Sequence, residues 1–466
     1  MSKNYLNEDL PERESRQLIN EFEKMLLTNS VHFFDQEAYE YMIDYYEAGF
    51  DFYKAEVVVD WAVELHPFSS FFIIKKARLQ IDAHKNTAAL ELLSKAQALS
   101  PTELEIFVLQ AEAYINIQNY MAALDCLRQA MLYANETEKA DIFLAVADVY
   151  DACEKEGKSY LFIKKALKLA PTHEGALSRI NYYIELFGKQ TESISIHKTI
   201  IDHNPYCDLA WYNLGSAYAG LGLYEKAIEA YEFVTAINDN YDLAYMGIGN
   251  AYFALENFAK AKDNYLMALE IGEPDEDLYY MLGQVCKHMA NHTEALCYFE
   301  KLIDTNTYNA QYYAETADCL TQLHNWKKAI VVLKQALQLE PNFQPYISKM
   351  AFCFEKLGDI DNAIACYNTL IDQCPNEIFY WINLIALYFY EQNYQAALDC
   401  IANAKQHLGN HVVLCYQQAA SLYAAGQKTE ALVWFNYALE TDEQLSPLFF
   451  DMLPHLENNK LFSTLL

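Results

Sequence analysis

The sequence predicts an all-α fold, an α-solenoid of about twelve helix-turn-helix repeats with capping helices at both ends. Three observations lead there. First, a small residue recurs as Ala55, Ala89, Ala123, Ser159, Ser193, Ala227, Ala261, Ala295, Ala329, Ala363, Ala397 and Ala431, at intervals of 34 except for 36 between Ala123 and Ser159. Second, a matching small position precedes it as Gly215, Gly249 and Gly283, with Ala77, Ala111, Ala147, Ala317, Ala351 and Ala419, while Ile43, Asn181 and Ile385 depart from it. Third, Pro67, Pro101, Pro171, Pro205, Pro341 and Pro375 punctuate the intervals, where proline ends one helix and starts a turn. A helix pair cannot bury its apolar stripe alone, so pairs stack, and their axes approach closely only at small side chains.

In chain order, residues 1–35 precede the repeats. Pro11, Glu12 and Glu14 suit a first helical turn, and Leu18, Ile19, Phe22, Met25 and Leu26 keep helical spacing up to Thr28, Asn29 and Ser30, which predicts an amino-terminal capping helix. Repeats then occupy 36–445, starting near 36, 70, 104, 140, 174, 208, 242, 276, 310, 344, 378 and 412. In the first, Tyr39, Met42 and Tyr46 face Val59 and Ala62. The 36-residue interval places a two-residue insertion near 135–139. Turns within repeats are marked by Gly222, Gly358 and Gly426 and by Asn119, Asn257, Asn291, Asn325 and Asn393, residue types that tolerate positive φ. The repeats at 140–173 and 174–207 fit less well, with Ser159 and Ser193 for Ala and His197 for an aromatic, so a local bend or a break falls near 174–207. After 445, Ser446 and Pro447 read as an N-cap and first helical residue, Leu448, Phe449, Met452 and Leu453 as an apolar face, and Pro454 as a stop. A last short helix from Glu457 completes the carboxy-terminal cap over 446–466.

Composition narrows the function. Lys plus Arg number 33 against 64 Asp plus Glu, a formal charge of −31, which repels phosphate backbones and anionic lipid heads. The first 66 residues alone carry 5 basic against 15 acidic side chains. No basic start followed by an apolar run marks a signal peptide, and the longest apolar stretch, 378–390, is too short to span a bilayer, so the expected location is cytoplasmic. Eleven cysteines without a C-x-x-C pair, with Cys126, Cys366 and Cys400 at one repeat position, read as buried reduced thiols.

Catalytic signatures are missing: there is no nucleophile elbow, phosphate-binding loop, dinucleotide fingerprint or metal-protease helix. His288 and His292 share a helical spacing but lack a third ligand, and Glu273, Asp275, Glu276 and Asp277 lack the glycine and ligand order of a calcium loop. The expectation is no enzyme, no cofactor and no metal.

The segment 208–238 carries Trp211, Leu214, Gly215, Tyr218, Ala227 and Tyr231 in the order W-x2-L-G-x2-Y…A-x3-F. There the chain resembles the tetratricopeptide repeat family. The resemblance implies a right-handed superhelix whose first helices line a concave surface with repeat positions 2, 5, 9 and 12, and the family's commonness in bacteria suggests a bacterial cytosol. Those positions supply Glu37, Glu40, Asp44 and Glu47, then Phe71, Ile74, Arg78 and Ile81, then Glu105, Glu112, Asp141, Asp148 and Asp151. Farther along they supply Tyr182, Tyr212, Asn250, Phe253, Tyr280, Gln284, Phe389, Tyr416 and Tyr423. The acidic portion favours a protein or peptide partner of basic and apolar character, and the aromatic, amide-bearing portion would hold it by stacking and hydrogen bonds. Asn213, Asn250 and Lys287 do not reproduce the carboxylate clamp that some family members use. The leading expectation is a scaffold or adaptor; self-association is the alternative, and RNA binding is disfavoured by charge.

Overall fold

A computed structural model describes residues 12–28, 33–49, 51–273 and 275–456, and every regular element among them is helical. The chain forms two compact units, within 1–239 and 240–466. In the first, α1 (Glu12–Thr28) precedes six pairs: α2 (Gln36–Ala48) with α3 (Phe52–Leu65), α4 (Ser70–Asp82) with α5 (Asn86–Leu99), and α6 (Leu104–Asn116) with α7 (Tyr120–Tyr133). They continue as α8 (Glu136–Ala152) with α9 (Glu156–Leu169), α10 (Glu174–Phe187) with α11 (Gln190–His203), and α12 (Asp208–Gly220) with α13 (Tyr224–Ile237). The second unit pairs α14 (Asp242–Ala254) with α15 (Phe258–Ile271), α16 (Glu276–His288) with α17 (His292–Thr305), and α18 (Ala310–Gln322) with α19 (Trp326–Leu339). It ends with α20 (Gln344–Leu357) and α21 (Ile360–Gln373), α22 (Ile378–Tyr390) and α23 (Tyr394–Leu408), α24 (Val412–Ala424) and α25 (Lys428–Thr441), and the short α26 (Pro447–Met452) between two 3-10 turns. Each unit is an all-α repeat solenoid, in which a helix packs on its pair mate and on the next pair.

All twelve small residues of the 34-residue series are completely buried. The two serines remain polar for a reason. Ser159 Oγ donates across the crossing to the Ala147 carbonyl at 3.2 Å, and Ser193 Oγ lies 3.0 Å from His197 Nδ1. His197 is itself buried; its Nδ1–H donates to the Ser193 carbonyl at 2.9 Å, and its Nε2 has no partner. Cysteine thiols are all free, and burial pushes several up, Cys400 to about 12.

Turn chemistry differs from expectation. The asparagines do not adopt positive φ: Asn119, Asn257, Asn291 and Asn393 have φ near −90° and cap the second helix, each side chain accepting from a backbone N–H three residues on. The left-handed residue is the one before, as Gln118, Glu256, Ala290, His324 and Gln392, or as Gly188, Gly222, Gly358 and Gly426. The insertion is absorbed in α8, which starts at Glu136 rather than near 140. A capping box of Asn135 and Glu138 opens it, and at 17 residues it is one turn longer than the 13 of α6.

Both ends are covered. Phe22 of α1 is fully buried and meets Trp61 edge-on at 5.5 Å, and Phe449 of α26 is fully buried 4.7 Å from Phe435. Ser446 is helical in φ and ψ and makes no side-chain cap; Asp442 instead caps the preceding 3-10 turn. The short helix expected from Glu457 lies outside the described residues.

Two predictions follow from the packing. Gly→Ala inside a helix ordinarily gains about 1 kcal/mol. At Gly249 the new Cβ would stand 2.5 Å from a ring carbon of fully buried Tyr265. Overpacking costs about 1–3 kcal/mol, so Gly249→Ala should lose about 1 kcal/mol net in chemical denaturation. Gly157→Ala, with nothing within 4 Å of its Cβ, should not lose stability; a stabilised Gly249→Ala would mean the crossing has slack. Burial also pulls His197 from 6.5 to about 4. The unfolded chain therefore takes up this proton first as pH falls. The contribution of neutral His197 is full above about 6.5 and is lost toward pH 4, by up to about 3 kcal/mol. His197→Phe should flatten the stability profile across that window, and an unchanged slope would refute the assignment.

Candidate functional site

The first helix of each pair presents charged and aromatic side chains whose spacing brings neighbouring pairs into register. Lys75 of α4 reaches back to α2, with Nζ 3.6 Å from Asp44 and 2.9 Å from Glu47. Arg179 of α10 does the same to α8, 2.6 Å from Asp148 and 2.8 Å from Asp151, which also accepts from the Tyr183 hydroxyl. Arg78 pairs with Glu105 of α6. In the second unit, Lys287 of α16 bridges Glu315 and Asp318 of α18, and Lys349 of α20 returns to Asp318 at 2.5 Å. The cation forks between two carboxylates one turn apart on a neighbouring first helix.

This ladder neutralises part of the acidic surface. Asp44, Glu47, Asp148, Asp151 and Glu105 all have internal cations. Burial raises the Asp44 and Asp148 carboxyls while Lys75 and Arg179 draw them down. Glu37 is exposed, Glu40 accepts from the neighbouring Gln36 amide at 2.8 Å, and Asp141 accepts a 2.7 Å contact from His173. Glu112 is the distinctive member. Its carboxyl is raised by partial burial and by Asp82 and Asp148, against the pull of Arg78. A cavity of about 340 Å³ gathers Arg78, Asp82, Glu105 and Glu112 over Val108 and Leu109.

The aromatic portion is less uniform. Tyr182 is 58% exposed and meets Tyr183 edge-on. Tyr212 is half-buried and tilts against Tyr231 at 5.6 Å. Asn250 accepts from the Tyr265 hydroxyl at 2.7 Å, and Phe253 packs edge-on against Phe258 and His288. Tyr280 receives a hydrogen bond from Gln311 at 2.8 Å and donates to Glu315 at 3.4 Å, and its hydroxyl is raised chiefly by burial, with Glu315 adding to it. Phe389 and Tyr416 are corrections. Phe389 is 6% exposed and Tyr416 fully buried; both belong to the carboxy-terminal core, where the Tyr416 hydroxyl donates to the Asp442 carbonyl at 2.9 Å. Ile74 and Ile81 are likewise buried, not lining.

The residues that sequence reasoning missed are Asp82 and the ladder cations Lys75 and Arg179, and Lys287, weighed only for a carboxylate clamp, turns out to be a ladder cation too. A signal existed. Lys75–Glu47, Arg179–Asp151 and Lys287–Glu315 are each 28 residues apart, and their second partners, Asp44, Asp148 and Asp318, 31 apart. Three and six residues short of the period are a helical face's offsets. Among the described residues no three His, Cys, Asp or Glu gather as a metal site, and no helix is long and apolar enough to cross a membrane. His288 instead stacks on Phe258 at 4.7 Å, and Asp275 caps α16.

Family models described as tetratricopeptide repeat match residues 209–241, 276–308 and 348–377. Two curated relatives are named peroxisomal targeting signal receptor. The one from Kluyveromyces lactis is 26% identical over 203 residues, 43% of this chain and 35% of its own length. The one from Pichia angusta is 28% identical over 206 residues, 41% of this chain and 35% of its own length. The chain thus matches about a third of their length. Similar solved structures include YrrB, described as a TPR protein with an unusual peptide-binding site (21% identity, 40% of this chain and 95% of that one, TM-score 0.37). The Cut9-Hcn1 structure of the APC/C shows 14% identity over 88% of this chain and 93% of that one, TM-score 0.34. A tetratricopeptide repeat protein from Parabacteroides merdae shows 16% identity over 53% and 98%, TM-score 0.37.

The ladder makes its own prediction. Arg179→Met should cost about 1 kcal/mol, since both its partners stay partly open to solvent. It should also lift the Asp148 carboxyl further above the ordinary aspartate range, read by NMR titration. An unmoved Asp148 would mean that Arg179 is not its counter-ion in solution.

Proposed function

The chain is a tetratricopeptide repeat protein, and from that premise we propose that it is a non-catalytic interaction scaffold that takes a basic, partly apolar peptide segment along the first helices of its amino-terminal pairs. The observation that carries the reading is the cluster around Glu112. Asp82, Glu105 and Glu112 face one small cavity with Arg78 as its cation, and its floor is the apolar Val108 and Leu109. A Lys or Arg side chain fits that chemistry: its stem lies on the apolar floor and its head meets the carboxylates. Glu37 and Glu40 offer a second acidic contact on α2. The exposed Tyr182 and the half-buried Tyr212 extend the same first-helix series and suit peptide stacking. The relatives' printed name, receptors for a targeting signal, agrees with recognition of a peptide segment.

The test uses the whole chain and a fluorescent synthetic peptide of Lys, Arg and Leu. Binding should weaken as salt rises, and Glu40→Lys with Glu112→Lys should reduce affinity by about tenfold or more. Both sites avoid the internal ion pairs of Asp44 and Asp148, so the fold should survive. Affinity indifferent to salt and to both substitutions would sink the acidic-groove reading.

A further inference from the structure

The chain is not acidic throughout. Between 155 and 198 it carries Lys155, Lys158, Lys164, Lys165, Lys168, Arg179, Lys189 and Lys198 against Glu156, Glu174, Glu185 and Glu192, a balance of 8 − 4 = +4 inside a chain of −31. Four of these lysines belong to α9, the second helix of its pair. Lys164 is committed to Glu192 at 2.6 Å, and Lys189 reaches the same carboxylate. Among the described residues Lys158, Lys165, Lys168 and Lys198 have no carboxylate within ion-pair reach, and all four are exposed. Three lie over aromatic faces: Lys158 Nζ 5.0 Å over Tyr150, Lys165 Nζ 4.2 Å over Phe162 and Lys198 Nζ 5.9 Å over Tyr218.

Between α9 and the next second helix, α11, lies a cavity of about 420 Å³. Leu167, Ile196 and Ile200 give it an apolar wall, and Lys168, His203 and the Lys164–Glu192 ion pair stand at its edges. His203 Nδ1 is fixed by the Thr199 carbonyl at 2.6 Å, and Thr199 Oγ1 donates to the Ser195 carbonyl, so this rim is ordered. Lys168, without a counter-ion among the described residues, stands beside this apolar cavity within a locally cationic stretch, which matches a ligand that combines carboxylates with a greasy side chain.

We propose that the α9–α11 face is a docking surface for an acidic peptide segment bearing apolar side chains. One apolar side chain enters the cavity over Leu167, Ile196 and Ile200, and flanking carboxylates meet Lys165, Lys168 and Lys198. A nucleic acid fits less well, because its dense phosphates would meet the field of a strongly acidic chain beyond this island. The inference does not rest on the first-helix groove; it concerns a different face and the opposite charge.

The experiment titrates the full chain into a fluorescein-labelled synthetic peptide of Asp, Glu and Leu and follows anisotropy. Expected are saturable, salt-sensitive binding and hydrogen-exchange protection confined to 156–169 and 190–203. Lys165→Glu with Lys168→Glu should weaken binding by about tenfold or more. Both lysines are exposed, and circular dichroism checks that the variant is folded. The proposal is overturned by absence of saturation, by equal affinity of the lysine variant, or by protection elsewhere. Stronger lysine-dependent binding of polyuridylate RNA or phosphatidylserine vesicles would also overturn it.

Discussion

Everything in this architecture depends on how closely two helices cross at one small side chain. The twelve Ala or Ser residues of the 34-residue series are completely buried, and no larger group would leave the helix axes where they are. In three successive pairs the space is used to its limit: the rings of Tyr231, Tyr265 and Phe299 lie where Gly215, Gly249 and Gly283 lack a Cβ. Close crossing sets the pitch of the stack. The pitch in turn sets which side chains of neighbouring first helices meet, so the ion-pair ladder is a consequence of the crossing and not an independent design.

The fifth pair shows what happens when that rule is bent. Asn181 occupies the first-helix position that is small in most pairs, and His197 the place of the large ring. Asn181 Oδ1 and His197 Nε2 are both buried without partners. Such atoms cost about 1–3 kcal/mol each, which the apolar packing of Ile180, Ile184 and Ile200 around them has to offset. In the turns capped by Asn119, Asn257, Asn291 and Asn393 the local chemistry is satisfied twice over. The asparagine that caps the second helix follows a residue in the left-handed region, so one turn needs both a tolerant backbone and a side-chain acceptor.

That division explains how much was legible in advance. The helix pairs and their close-packed positions follow from a period and from residue volume, both visible in a string of letters. The role of Asn119 or Asn257 was not, because asparagine serves equally as a left-handed residue and as an N-cap, and only the register of the turn separates them. The site was half legible. Glu37, Glu40, Glu112 and Tyr182 are placed on the surface by their repeat positions. Phe389 and Tyr416 hold equivalent positions, but α26 adds Phe449 and Phe450 beside α24, and the same position becomes core. A periodic rule fails where the array meets its cap.

The ladder also constrains what the acidic face is able to recognise. Lys75 and Arg179 satisfy the carboxylates of α2 and α8 nearest to them, so charge left for a partner concentrates at Glu37 and Glu40 on α2 and at Asp82 and Glu112 on α4 and α6. First helices of successive pairs stack with a spacing on the order of 10 Å. The two acidic contacts are therefore roughly 20 Å apart, from α2 to α6, and an extended peptide covers that span in about six residues. A partner reading both would carry its basic side chains in two groups separated by about that distance, with apolar residues between them to meet Val108 and Leu109. A uniformly basic tract would gain little over this, because its intermediate cations would face Lys75 and Arg78, which already hold the positions between.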